Sequence, residues 1–326
     1  MAETCLARTE TQSRRRFLPL SIAASGLGCS SQAAPSGPEG NSAVFAASAA
    51  SYGIELEGLI QSGFEACGLN VRGKKVLLKP NLVEFDANTA INTHVAVLAA
   101  VLEVCRRQGA LRVRIGEGPG HRRDTMHLAE QAQYRSSIER FEELFVDLNR
   151  DDVQPVSGFA GRERFFLPQT ALDADLILSI AKMKTHHWAG ATLSMKNLFG
   201  LVPGAVYGWP KNILHHIGIP RSIVELNRTF PKTFAVVDGI VGMQGNGPIQ
   251  GTPISSGVLV MGGDVVAVDA TCCRIMGIDP ARIRYLQDAA ILGHWAGERI
   301  EQRGERPEKL RKPFALIEQF HHARLA

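Results

Sequence analysis

The chain has 326 residues, 45% of them hydrophobic and 21% charged, with a formal net charge of +4. Those values describe an ordinary globular protein long enough to bury a sizeable core. Arg8, Arg14, Arg15 and Arg16 against Glu3 and Glu10 account for half of the net charge, so the remainder is nearly neutral, and with no basic block or aromatic-basic interleaving the sequence argues against a nucleic-acid partner.

The first element is an export leader. Ser13, Arg14, Arg15, Arg16, Phe17 and Leu18 spell a twin-arginine pattern, and the apolar stretch from Phe17 to Cys29 is too short to span a bilayer. The expected partner is therefore the twin-arginine translocation machinery, which carries folded proteins, and the expected location is periplasmic or otherwise extracytoplasmic. Gly26, Leu27, Gly28 and Cys29 resemble a lipoprotein cleavage site with a lipid anchor at Cys29, although Gly26 stands where that pattern wants leucine; cleavage near Ala33 or Ala34 is the competing reading. Residues 1–34 are read as signal peptide, 35–50 as a flexible Ser/Ala/Gly/Pro-rich linker, and 51–326 as one α/β domain, with a bilobed form as the variant.

From residue 50, helical and strand patterns alternate. Ile54, Leu56, Leu59, Ile60 and Phe64 fall mostly on one helical face. Val76–Leu78 reads as a buried strand stopped by Lys79, Pro80 and Asn81. Thr93 is placed to cap a helix running through Cys105 to a stop at Gly109. A strand over Val113–Ile115 follows, then a polar helical region over 124–144 and weaker strands near Phe145–Leu148 and Arg164–Leu167. The clearest strand is Asp175–Ile180; Phe234–Val237 and Val258–Met261 are two more. Asp264 caps a helix from Val265 to Met276, with Gly277 as its left-handed stop. This order predicts an α/β fold with a mostly parallel sheet and helices on both faces.

In such sheets ligands bind beyond the carboxyl ends of the strands. Those ends are Lys79 to Asn81, Gly116 to Gly120 with Glu117 and Gly118, Lys182 to His186, and Asp238. Lys79, Asn81, Gly118, Lys182, Thr185, Lys196 and Asn197 are the candidate ligand-binding residues, with Gly245, Asn246 and Gly247 from a glycine-dense loop that is either a lid or a close backbone approach. His186, Lys184, Glu117 and Asp238 are the candidates for proton transfer. Asp269, on an apolar helix, must be paired, hydrogen-bonded, metal-bound or exposed. The leading expectation is an enzyme acting on a small anionic ligand, a carboxylate or phosphate. Its rivals are an enzyme using a divalent metal held by Asp238, His186, Glu117 and Asp269, and a non-catalytic binding or assembly protein for an exported redox system.

None of the six cysteines (Cys5, Cys29, Cys67, Cys105, Cys272, Cys273) forms a CxxC pair. Cys272 and Cys273 read as small buried hydrophobes, and an oxidising compartment would permit a Cys67–Cys105 disulfide.

Taken together, Lys79 to Val83, Gly116 to Gly118, Lys182 to His186 with Lys196 to Gly200, Asp238 with Gly239, Gly245 to Pro248 with Gly251, and Asp264 to Asp269 leading to Gly277 resemble the domain of unknown function 362 family, in order, over about residues 74–280. The resemblance implies little chemistry. Some members of that family carry iron–sulfur ferredoxin modules; this chain lacks the cysteines, so no iron–sulfur cluster is expected.

Overall fold

The computed structural model describes residues 39–326 apart from Arg122, so the expected leader, its expected cleavage site and Cys29 lie outside the described residues. The strands of those residues are β1 (Ser42–Ser48), β2 (Lys75–Pro80), β3 (Arg112–Glu117), β4 (Phe145–Asp147), β5 (Val153–Val156), β6 (Phe165–Pro168), β7 (Leu176–His186), β8 (Gly190–Thr192), β9 (Thr233–Gln244), β10 (Thr252–Gly262) and β11 (Ile300–Gly304). Nine of them form one sheet in the order β11–β1–β10–β9–β7–β2–β3–β4, with β8 folded back on β7; β5 and β6 pair separately. Along the main path only β10 runs antiparallel to its neighbours, so the sheet is mostly parallel, as the alternating pattern predicts.

Side-chain alternation sends each strand's residues to two apolar layers. Leu176, Leu178 and Ile180 of β7 pack with Phe234 and Val236 of β9 against helices Leu56–Ala66 and Val95–Arg107. Ala181, Met183, Ala235 and Val237 face the opposite way, toward helix Val265–Ile275. Helices therefore cover both faces. Asp264 caps that last helix by accepting from Val266 and Ala267 N–H, and Gly277 follows it at φ +70°.

Three expectations are corrected. The linker assigned to residues 35–50 runs into β1, whose Val44, Phe45 and Ala46 are buried between β10 and β11; small residues disguised a strand that packs where little space exists. Thr93 does not cap the second helix. Its hydroxyl accepts from Asn81 N–H and donates to Ile180 C=O, while His94 takes the capping role through Ala96 N–H. Strands β7 and β9 continue through the charged residues read as their ends, so Lys182 and Asp238 sit opposite one another inside the sheet. Cys67, Cys105, Cys272 and Cys273 are all free thiols.

Candidate functional site

At the carboxyl ends of β2 and β3 lies a buried ion pair. Lys79 Nζ is 2.5 Å from Glu117 Oε2, and both side chains are at most 2% exposed. Lys79 also donates to Pro80 C=O and to Asn197 Oδ1, and Asn197 returns its amide to Lys79 C=O and Ser179 Oγ. Glu117 accepts backbone N–H groups from Leu82 and Gly118. Every charge in this cluster is matched, which is what a buried pair requires. Gly200 lies directly on it: a Cβ there would stand 2.5 Å from Lys79 Cε and closer still to Glu117 Oε1. The spacing from Lys196 to Gly200 is thus dictated largely by packing over the pair.

Strand β7 supplies the next layer. Lys184 is fully buried and donates to Asn81 Oδ1 (2.7 Å), Ile91 C=O (2.8 Å) and, at 3.4 Å, Pro248 C=O. All three partners are neutral, and burial together with the nearby Lys196 and Lys182 ammoniums holds its pKa well below the usual lysine value. His186 Nδ1 accepts N–H groups from Trp188 and Ala189, so the neutral ring carries its proton on Nε2; burial, then Lys196, pushes its pKa far down. His187 is the reverse: its Nδ1 lies 2.7 Å from Gly247 C=O and must donate, leaving the Nε2 lone pair open. One imidazole can give a hydrogen bond and its neighbour can take one.

The glycine-dense loop is clamped to this strand. Thr185 Oγ1 donates to Gly245 C=O, His187 N–H donates to Gly247 C=O, and Gly247 lies so close to Thr185 C=O that a side chain would not fit. Close backbone approach, not a lid, is what these glycines serve, and the surface they approach is β7.

These elements enclose a cavity of about 910 Å³ lined by Asn81, Glu117, Gly118, Lys184, His186, His187, Lys196, Asn197 and Asn246, together with Trp188, Thr192, Phe199, Lys211 and His215. Lys196 Nζ sits 4.1 Å from the Phe199 ring centroid, and burial lowers its pKa to about 8. Lys211 Nζ donates to Gly118 C=O at 2.6 Å, and burial lowers its pKa to about 7. Glu117, already engaged by Lys79, is the one carboxylate among the described lining residues. The cavity therefore presents Lys184 and Lys211, whose hydrogen-bond acceptors are neutral, and Lys196, which lies over the Phe199 ring.

Several expected residues are elsewhere. Lys79 supports the cavity floor without lining it, and Thr185, Gly245 and Gly247 serve the loop clamp. Lys182 and Asp238 form a second buried pair at 2.9 Å, completed by the Tyr52 hydroxyl and by His94 and Ile240 N–H, beside a separate 390 Å³ pocket. Asp238 is therefore not a proton-transfer group of the lysine-lined cavity. Asp269 accepts from Ser194 N–H, Ser194 Oγ, Met195 N–H and Tyr285 OH, tying helix Val265–Ile275 to the segment after β8. With both carboxylates occupied by protein donors, the expected metal set of Asp238 and Asp269 does not assemble, and no cluster of three His, Cys, Asp or Glu able to hold a metal occurs among the described residues. Residues that the sequence reading missed are His187, Trp188, Thr192 and Lys211. Lys211 follows the cis Trp209–Pro210 bond at φ +63°. A lysine in an apolar Gly/Pro loop was its only signal.

A mostly parallel α/β sheet with a lysine-lined cavity at the carboxyl ends of its parallel strands defines the architectural class. The chain belongs to the family described as Domain of unknown function (DUF362), matched over residues 76–274. A thylakoid-associated protein of Synechocystis is 29% identical over 226 residues, 68% of each chain. The lactate racemase apoprotein of Thermoanaerobacterium thermosaccharolyticum aligns over 73% of this chain and 57% of its own length, at 13% identity and a TM-score of 0.48.

Proposed function

We propose that this protein is an enzyme acting on a small carboxylate or phosphate anion held in the 910 Å³ cavity. The observation that carries the reading is the convergence of Lys184, Lys196 and Lys211 on one cavity whose one carboxylate among the described lining residues, Glu117, is already paired with Lys79. Buried amines without a counter-ion are costly to charge, and an anionic ligand would offset that cost through charge-assisted hydrogen bonds that favour the ammonium forms. The opposite hydrogen-bonding roles of His186 and His187 supply one donor and one acceptor to a bound ligand. We further propose that the protein acts outside the cytoplasm after twin-arginine export, on the strength of the leader motif at Arg14 and Arg15.

Calorimetric titration with inorganic phosphate and with acetate tests the central claim. Binding of at least one anion is expected, weakened about tenfold or more by Lys196→Met. A folded wild-type protein that binds neither, or a Lys196→Met variant that binds equally well, would refute it.

A further inference from the structure

Two features of the cavity remain unexplained by a bare anion. Thr192 is 5% exposed, lines the cavity, and its hydroxyl has no hydrogen-bond partner. Trp188 is 62% exposed at the same cavity. Its ring is met by His187 at 4.5 Å and by His215 at 5.4 Å, with interplanar angles of 70° and 80°, so neither imidazole stacks on it. A large aromatic held in place with its face unstacked is a platform for another planar ring.

The β7–β8 hairpin fixes the separation of these two features. Thr192 pairs with Lys184 and His186 pairs with Gly190, so Trp188 is at the hairpin tip, beyond both rungs. At about 3.4 Å per residue, the tip and the inner rung are roughly 10 Å apart. Phosphate or acetate cannot touch both ends. The cavity volume of about 910 Å³ is also near the top of the range of about 300–1,000 Å³ that encloses drug-sized ligands.

Building on the anion-binding reading above, we propose that the ligand carries a planar ring system and its anionic group on one molecule. The ring lies against Trp188, and the anion reaches the Thr192 hydroxyl and the Lys196 ammonium. The His186 Nε2–H is available to the same anion, because its Nδ1 is occupied by backbone donors.

The test pairs ring-free with ring-bearing probes on the full chain by isothermal titration calorimetry: inorganic phosphate with adenosine 5′-monophosphate, and acetate with naphthalene-1-acetate. Each ring-bearing probe is expected to bind about tenfold tighter or more than its ring-free partner. Trp188→Ala is expected to abolish that gain and Trp188→Phe to retain most of it, the gain being the ratio of ring-bearing to ring-free affinity within the same variant. Thr192→Val is expected to weaken all binding probes about tenfold. If ring-free anions bind as tightly as their ring-bearing partners, or if Trp188→Ala leaves the gain intact, the ring proposal is overturned while the anion reading stands. An unchanged Thr192→Val affinity overturns the placement of the anionic end. Should none of the four probes bind to folded protein, both readings fall. Because Trp188 is largely exposed, its variants are expected to keep the wild-type circular dichroism spectrum.

Discussion

Replacing Gly200 by alanine would place a methyl group inside the Lys79–Glu117 pair. The added Cβ would stand 2.5 Å from Lys79 Cε and 2.7 Å from Nζ, against about 3.4 Å for ordinary contact. Neither partner can move aside cheaply. Lys79 is anchored to Pro80 C=O and Asn197, and Glu117 is anchored to Leu82 and Gly118 N–H. Relief requires parting a buried ion pair, which costs about 3–5 kcal/mol when one charge is left unmatched. Urea unfolding followed by circular dichroism should therefore show Gly200→Ala destabilised by about 3 kcal/mol. Gly120→Ala is the control, because a Cβ there meets nothing within 4 Å, and it should stay within about 0.5 kcal/mol of wild type. A Gly200→Ala variant as stable as that control would refute the account of the pair as a rigid, fully matched floor.

Further consequences can be measured directly. Anion affinity should fall as pH rises through about 7 and then about 8, because burial lowers the pKa of Lys211 and of Lys196 to those values and each binds an anion only as ammonium. The sign follows from deprotonation removing positive charge, and a flat affinity from about pH 6 to 9.5 would contradict it. Lys211→Met should weaken phosphate binding by about tenfold to a hundredfold, the worth of one charge-assisted hydrogen bond; unchanged titrations would remove Lys211 from the site. Lys182→Met should destabilise the fold by about 3–5 kcal/mol through the uncompensated Asp238 carboxylate, while phosphate binding stays unaltered. Loss of binding at full stability would return Lys182 to the cavity.

The alternation of apolar runs was legible in the sequence because parallel strands covered on both faces are hydrophobic throughout, as Phe234 to Val237 illustrate. The sites were legible less evenly. Reading strands as apolar runs ends β7 at Ile180, two residues before Lys182, and β9 at Val237, directly before Asp238. Their mutual neutralisation across adjacent strands allows both to lie within the sheet, and one imagined cleft becomes a structural pair and a separate cavity. Lys184, His186, Lys196 and Asn197 were found because they follow a strong strand or a recognisable motif. Lys211 was not, because only the loop around Pro210 brings it to Gly118, 93 positions away. Nor could spacing reveal that His187, not only His186, faces the cavity, since that depends on the hairpin that β8 makes with β7.

The position of β1 bears on when this polypeptide can reach its native state. Ser42 to Ala46 are flanked by Ile300 to Gly304 on one side and, over Val44 to Ser48, by Val258 to Gly262 on the other. Residues of β1 thus wait for partners made more than two hundred positions later, and the sheet cannot close over β1 until β11 has left the ribosome. β1 is therefore a late seam, and its closing marks completion of the sheet rather than its nucleation.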